Sequence, residues 1–226
     1  MEENWKKRGW YGMPSIYDRQ IPLDLKIPKS ACVIGCGGVG SWVAINLALT
    51  GVKTLVLVDH DRVEIHNLNR TPFTITQVDD YKVNAIACLV ALRRESTEVI
   101  PIAKRIEECN DAEMDLIKRC NVIIDCRDSI SGLPEEIEKK ARVITCGYDG
   151  YKVTIHINRN PETVWGDEPV RYTVTPSWLV PPQFLASIIT LYVCVPSMQI
   201  NTEKIFSFDM RDLIKILEIG LKGVKK

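Results

Sequence analysis

Residues 31–59 read ACVIGCGGVGSWVAINLALTGVKTLVLVD. Ala31-Cys32-Val33-Ile34 is a short apolar run that ends in a glycine cluster. Ser41–Thr50 is apolar at helical spacing and stops at Gly51, a residue that closes helices because it enters the left-handed region freely. Lys53–Asp59 is apolar and β-branched, as a strand buried on both faces must be. Strand, glycine loop, helix and strand in that order predict one βαβ unit of a nucleotide-binding sheet. Gly35-Cys36-Gly37-Gly38-Val39-Gly40 satisfies G-x-G-x-x-G. The first glycine permits the tight turn, the second lets the backbone approach a phosphate, and the third packs helix on strand. The helix that starts near Val39 or Gly40 directs unpaired N–H groups at an anion. Asp59, which ends the second strand, can accept hydrogen bonds from ribose hydroxyls.

Outward from this unit the alternation continues. Helices are predicted over Asp79–Arg94, Asp111–Lys118 and Glu135–Lys140, and strands over Val99–Ala103, Asn121–Asp125 and Arg142–Cys146. That rhythm implies right-handed crossovers and a parallel sheet. Tyr151–Asn158 then alternates with period two, as an antiparallel strand does. A proline-rich stretch follows, then an apolar helix over Gln183–Val195 and a strand-helix pair from Lys204. The predicted fold class is α/β: a Rossmann-like, mostly parallel sheet with helices on both faces, extended by a C-terminal mixed or antiparallel portion. Residues 1–226 are expected to form one domain, with an arm over 1–29, a nucleotide-binding core over 30–150, and a crossover segment and sheet extension over 151–226.

Composition excludes several classes of function. The chain has 226 residues, 46% apolar and 26% charged, which is ordinary for a globular protein. Its 29 basic residues balance 29 acidic ones, so no net field attracts nucleic acid, and nucleic-acid binding is not expected. Eight cysteines are too few for a disulfide scaffold, and none forms a C-x-x-C pair, so no structural zinc is expected. A reducing cytoplasmic setting fits them best. The start, MEENWKKRGW, lacks an apolar core, so no signal peptide is expected. Phe184–Val195 is too short an apolar run to span a bilayer.

NAD and ATP both fit a glycine loop followed by an acid. Between Asp59 and Lys82, however, the chain carries Asn67, Asn69 and Arg70, which a dehydrogenase does not need there. A nucleotidyl transferase does, because Arg and Lys stabilise charge on the α-phosphate as pyrophosphate departs. It also needs a carboxylate for Mg²⁺, and Asp128 stands just past the fourth strand, at the end of the sheet where ligands bind. Each residue has a plainer reading as well. Asn67, Asn69 and Arg70 can cap a turn, and Lys82 beside Asp79 and Asp80 can lie on a solvated face. Asp61 and Glu64 read as loop or pairing residues and not as metal ligands, His60, His66 and His156 show no ligand spacing, and Trp42 and Trp178 read as packing residues.

GCGGVGS, LVDHDRVEIHNLNR, YK and IIDCRDS, preceded by YDRQIPL, resemble in unbroken order the ThiF/MoeB/HesA family of ubiquitin-activating-enzyme-like adenylyltransferases. The resemblance covers roughly residues 15–150. It implies ATP-dependent adenylation of a carboxylate with release of pyrophosphate, most often at the C-terminal glycine of a small ubiquitin-like or sulfur-carrier protein of β-grasp fold ending in Gly-Gly. It implies that Gly35, Gly37, Gly38 and Gly40 form the nucleotide loop, with Gly38 against the nucleotide and Asp59 on the ribose. Asn67, Asn69 and Arg70 would face the triphosphate, Lys82 would add a second cation, Asp128 would bind Mg²⁺ and Ser129 would flank the nucleotide. Arg19 would be an arginine finger given to the neighbouring subunit of a homodimer.

The chain departs from the family pattern in three places. Thr71 and Pro72 follow Arg70 where the family has Gln, the paired zinc cysteines are missing, and the crossover Asn158–Pro182 holds no cysteine. The expected enzyme therefore stops at the acyl-adenylate and has no thioester cysteine of its own. Three rival readings are a relative that activates a threonylcarbamoyl base of tRNA for cyclisation, an NAD-dependent oxidoreductase, and a degenerate binding module.

Overall fold

The computed structural model describes residues 15–94, 96–128, 132–138, 142–158, 176–196, 204–213 and 215. The strands are β1 (Ser30–Ile34), β2 (Thr54–Val58), β3 (Glu98–Ile102), β4 (Val122–Asp125), β5 (Arg142–Asp149), β6 (Lys152–Ile157) and β7 (Lys204–Asp209). The helices are α1 (Gly38–Thr50), α2 (Lys82–Ala91), α3 (Asp111–Lys118), α4 (Glu135–Glu138) and α5 (Val180–Cys194). All seven strands share one sheet in the order β3-β2-β1-β4-β5-β6-β7. The first five in that order pair in parallel, while β6 and β7 run antiparallel. This is the Rossmann-like α/β architecture, with the predicted antiparallel extension at one edge.

Strand residues alternate between two apolar layers, which is why these runs are apolar throughout. Ala31, Val33, Leu55, Leu57, Val122, Ile124 and Ile144 join the layer that holds α1, α2 and α5. Cys32, Ile34, Val56, Val58, Ile123 and Val143 join the opposite layer, with Met114 and Ile117 of α3 and Ile137 of α4. Helices thus cover both faces. The chain leaves β1 toward β2 on one side and returns to β4 on the other, which opens a crevice above the strand ends between β1 and β4.

Several boundaries differ from the periodicity, each for a local reason. α1 begins at Gly38 because the helical turn starts inside the glycine loop. α2 begins only at Lys82, since Asp79 is left-handed (φ 74) and Tyr81 extended. β5 runs past Cys146 to Asp149, where the two-residue turn Gly150-Tyr151 leads into β6. Gly150 has a φ of 54°, which such a turn requires. α5 starts at Val180 and takes Pro181 and Pro182 into its first turn, where a missing N–H costs nothing.

Candidate functional site

A cavity of about 680 Å³ opens in that crevice, large enough for a nucleotide. Its wall is built from the C-terminal ends of five parallel strands. Gly35 follows β1, Asp59 follows β2, Lys104 to Glu107 follow β3, Cys126 to Asp128 follow β4, and Gly147 to Asp149 end β5.

The glycine loop divides its work among its members. Gly35 has a φ of 83°, and a Cβ there would sit 2.9 Å from the Cys126–Arg127 backbone. Gly37 faces open space and is the point where a ligand can approach the backbone. Gly38 lines the cavity, but the volume its Cβ would fill is taken by the Tyr148 hydroxyl at 2.9 Å and by Pro182 at 3.5 Å. Gly40 is absent from the cavity wall. Its Cβ would lie 1.8 Å from the Gly35 carbonyl oxygen, so it is glycine to let α1 close on β1. This is the helix-on-strand packing that the fingerprint assigns to its third glycine.

Asp59 fastens the loop to β2. Its Oδ2 accepts from the Cys36 N–H at 2.5 Å and its Oδ1 from the Asp61 N–H at 2.7 Å. A carboxylate has about four acceptor positions, so each oxygen retains one for a ribose hydroxyl. Lys82 is buried at the start of α2, and its Nζ bonds Asp61 Oδ2 at 2.7 Å. It therefore lies on the cavity wall and not on a solvated helix face. Burial pulls the Asp61 carboxyl upward, but the Lys82 bond and charge outweigh it and hold Asp61 below its ordinary value of 3.8.

Asn67 caps its own 3-10 turn, its Oδ1 accepting from the Glu64 N–H at 3.0 Å, and it also lines the cavity. Arg70 points into the cavity and is braced from several sides. Its guanidinium donates to the His66 carbonyl and to Asn69 Oδ1, and Trp42 Nε1 donates to its carbonyl at 2.9 Å. Asn69 stands outside the wall, between Arg70 and the Ser177 carbonyl, which it reaches at 3.2 Å. Thr71 is buried and bonds the Asn67 carbonyl at 2.8 Å, a local tie in the position where the family has Gln.

Asp128 is exposed on the wall, and no hydrogen bond or ion pair among the described residues claims its carboxylate. Neighbouring protein nevertheless desolvates it enough to raise it above the ordinary carboxylate value, against the pull of Lys82 and Arg70. One free carboxylate facing a phosphate-sized space fits Mg²⁺, which takes few protein ligands and completes its shell with phosphate oxygens and water. Asp59, His60 and Asp61 also bring donor atoms within 4.8 Å of one another, a grouping that histidine spacing did not predict. Backbone N–H groups and Lys82 already engage both of its carboxylates, so it is the weaker metal candidate.

Two expected residues stand apart. Arg19 is exposed and lies off the wall, and Ser129 lies outside the described residues. The wall also holds residues that sequence reasoning missed. Arg127 clamps Asp125 through two bonds of 2.9 Å and reaches Glu107 Oε1 at 3.0 Å. Lys104, Arg105, Tyr148, Asp149 and Ser177 are also among them. For all but Ser177, which comes from the proline-rich stretch, a position at or just past a predicted strand end was the available signal. Trp42 packs against the core as expected, whereas Trp178 is 42% exposed and meets Tyr151 edge-on at 6.0 Å.

Residues 23–133 match the ThiF family. Through that segment the chain belongs to the ThiF family. It is 36% identical over 120 residues to the NEDD8-activating enzyme E1 catalytic subunit of Arabidopsis thaliana, covering 53% of this chain and 25% of that protein. It is 31% identical over 124 residues to the sulfur carrier protein ThiS adenylyltransferase of Escherichia coli K12, covering 51% of this chain and 49% of that protein. The chain thus spans a quarter to a half of the length of these curated relatives. Among solved structures it resembles PaaA, at a TM-score of 0.65 and 22% identity over 81% of this chain and 61% of that one. It also resembles E. coli MccB crystallised with MccA, at a TM-score of 0.63 and 19% identity over 88% of this chain and 72% of that one. At these identities the structures speak for the fold alone.

Proposed function

We propose that this chain catalyses ATP-dependent adenylation of a carboxylate, that of the C-terminal glycine of a small ubiquitin-like or sulfur-carrier protein ending in Gly-Gly. The observation that carries the reading is the convergence of Arg70, Lys82 and Asp128 on one cavity with the glycine loop and the start of α1. Dehydrogenation has no use for two cations and a free carboxylate beside a phosphate site. Transfer of a nucleotidyl group needs them, because charge builds on the α-phosphate as the bond to the β-phosphate breaks. The ThiF family and the names of the relatives, E1 catalytic subunit and ThiS adenylyltransferase, support the same reading.

In this reading Asp59 receives the ribose, Gly37 and the first turn of α1 receive phosphate, and Arg70 and Lys82 hold the negative charge. Asp128 would hold Mg²⁺, whose charge would offset that of the phosphates. A carboxylate is nucleophilic without a base, so these residues act by positioning and electrostatics. The reaction stops at the acyl-adenylate. Cys146 and Cys194 are buried, and burial raises the Cys194 thiol to about 11, far from a reactive thiolate. The eight cysteines are unpaired, which suits a reducing cytoplasm. The enzyme works as a homodimer in which Arg19 serves the partner's site.

ATP–pyrophosphate exchange dependent on a β-grasp protein ending in Gly-Gly tests the proposal. Arg70→Ala and Asp128→Ala should each lower exchange by roughly 100-fold or more while leaving the thermal transition intact. Exchange that survives both, or nucleotide binding that prefers NAD, overturns the reading.

A further inference from the structure

The cavity runs across the ends of five neighbouring strands, from β3 to β5. Asp59 and the residues after β3 occupy one half, and the glycine loop, Arg70 and Asp128 stand at the centre. The other half lies over β5, where Tyr148, Asp149 and Ser177 form the wall. With the ribose on Asp59 and the phosphates at the loop, the β5 half is where a second substrate meets the α-phosphate. This division rests on the adenylation reading above.

Tyr148 is built into that meeting point. Its ring packs beside the α1–α5 core. Its hydroxyl rests over Gly38, the first residue of α1, 2.9 Å from where a Cβ would be. The hydroxyl shares a short hydrogen bond with Ser177 Oγ, and the Ser177 carbonyl accepts from Asn69, which in turn accepts from Arg70. A closed run of polar contacts therefore ties this phenol to the cation assigned to the phosphate. Arg70 and Asp128 are both close enough to act on its ionisation, and burial holds it protonated above its ordinary value, so at neutral pH it is a donor.

We propose that Tyr148 is a further substrate-contacting residue: its hydroxyl, oriented by Ser177, donates a hydrogen bond to the incoming carboxylate as that group meets the α-phosphate. The nucleotide itself gains nothing from this contact.

Tyr148→Phe keeps the ring and removes the donor. Binding of a non-hydrolysable ATP analogue, measured by calorimetry, should stay within about twofold. Exchange at saturating ATP with the β-grasp protein should fall about 10- to 100-fold, the usual effect of losing one hydrogen bond to a charged acceptor. A second comparison separates chemistry from packing. Gly38→Ala forces its Cβ onto the phenol oxygen and lowers the melting temperature, and adding Tyr148→Phe should restore that temperature without restoring exchange. Unchanged exchange in Tyr148→Phe, or an equal loss of analogue affinity, overturns the inference. A wild-type protein that binds the analogue but exchanges with no carboxylate sinks the adenylation reading, and this inference with it.

Discussion

Asp61 shows how one side chain can serve fold and site together. Its backbone N–H bonds Asp59, its carbonyl accepts from the Lys82 N–H at 3.0 Å, and its carboxylate holds the Lys82 ammonium in the cavity. Lys82 is almost fully enclosed while Asp61 is half exposed, so the pair stabilises the fold by about 1 kcal/mol or less. Because the folded carboxyl sits below its ordinary value of 3.8, that contribution is complete above 3.8 and is lost as pH falls through the lower folded value. Asp61→Asn should therefore shift the denaturant midpoint at pH 7, with a gap to wild type that closes as the pH is taken below about 4. A gap of constant size down to pH 3 would show that the charge of Asp61 is not what matters. Sequence spacing marked Asp61 as a pairing residue and left its partner open. Nothing in the order of residues says that Lys82 turns inward to meet it.

Helices α1 and α5 were legible as elements, but not as neighbours. Both read as apolar segments, and only the fold lays α5 against α1 on one face of the sheet. Within α5, Leu185 is fully buried whereas Leu191 is 44% exposed. Leu185→Ala should cost about 3 kcal/mol, a drop in melting temperature of roughly 10 °C, since a cavity opens in a packed layer. Leu191→Ala should cost under about 0.5 kcal/mol. Similar losses at both positions, in thermal unfolding, would mean that the helix packs on a different face. α2 teaches the complementary lesson. Its apolar rhythm extends to Asp79 in the sequence, but a left-handed Asp79 delays the helix by three residues. That delay places Lys82 at its first position, facing the cavity.

Across the molecule, the N-terminal turn and the cavity sit at opposite ends of α1. Gln20 bonds the Thr50 carbonyl at 2.7 Å and the Tyr17 ring abuts Gly51, so Arg19 is held near the C-terminus of a helix of 13 residues. That helix is about 20 Å long, and its other end forms the glycine loop, so Arg19 cannot serve the cavity of its own chain. If it serves a partner's cavity in a two-fold dimer, defects in Arg19 and Asp128 should complement each other. Arg19→Ala and Asp128→Ala proteins, each inactive alone, should on mixing recover about one quarter of wild-type exchange, because half the dimers are mixed and each mixed dimer has one whole site. Mixtures that never exceed the two parents would leave Arg19 a surface cation. An exposed apolar group around the same turn, Ile16, Ile21 and Leu23, borders Arg19.

The order of residues alone determined the parallel sheet, the glycine loop, the acid at the end of β2 and the cations that follow it. These follow from short-range rules: apolar runs buried on two faces, turns that need glycine, and helix ends that attract anions. Folding decided which of them share a cavity. It turned Lys82 inward, and brought Ser177, with Tyr148 bonded to it, to the Asn69–Arg70 turn across more than a hundred residues of chain. Such meetings depend on how strands stack into layers, and local propensity carries no record of that.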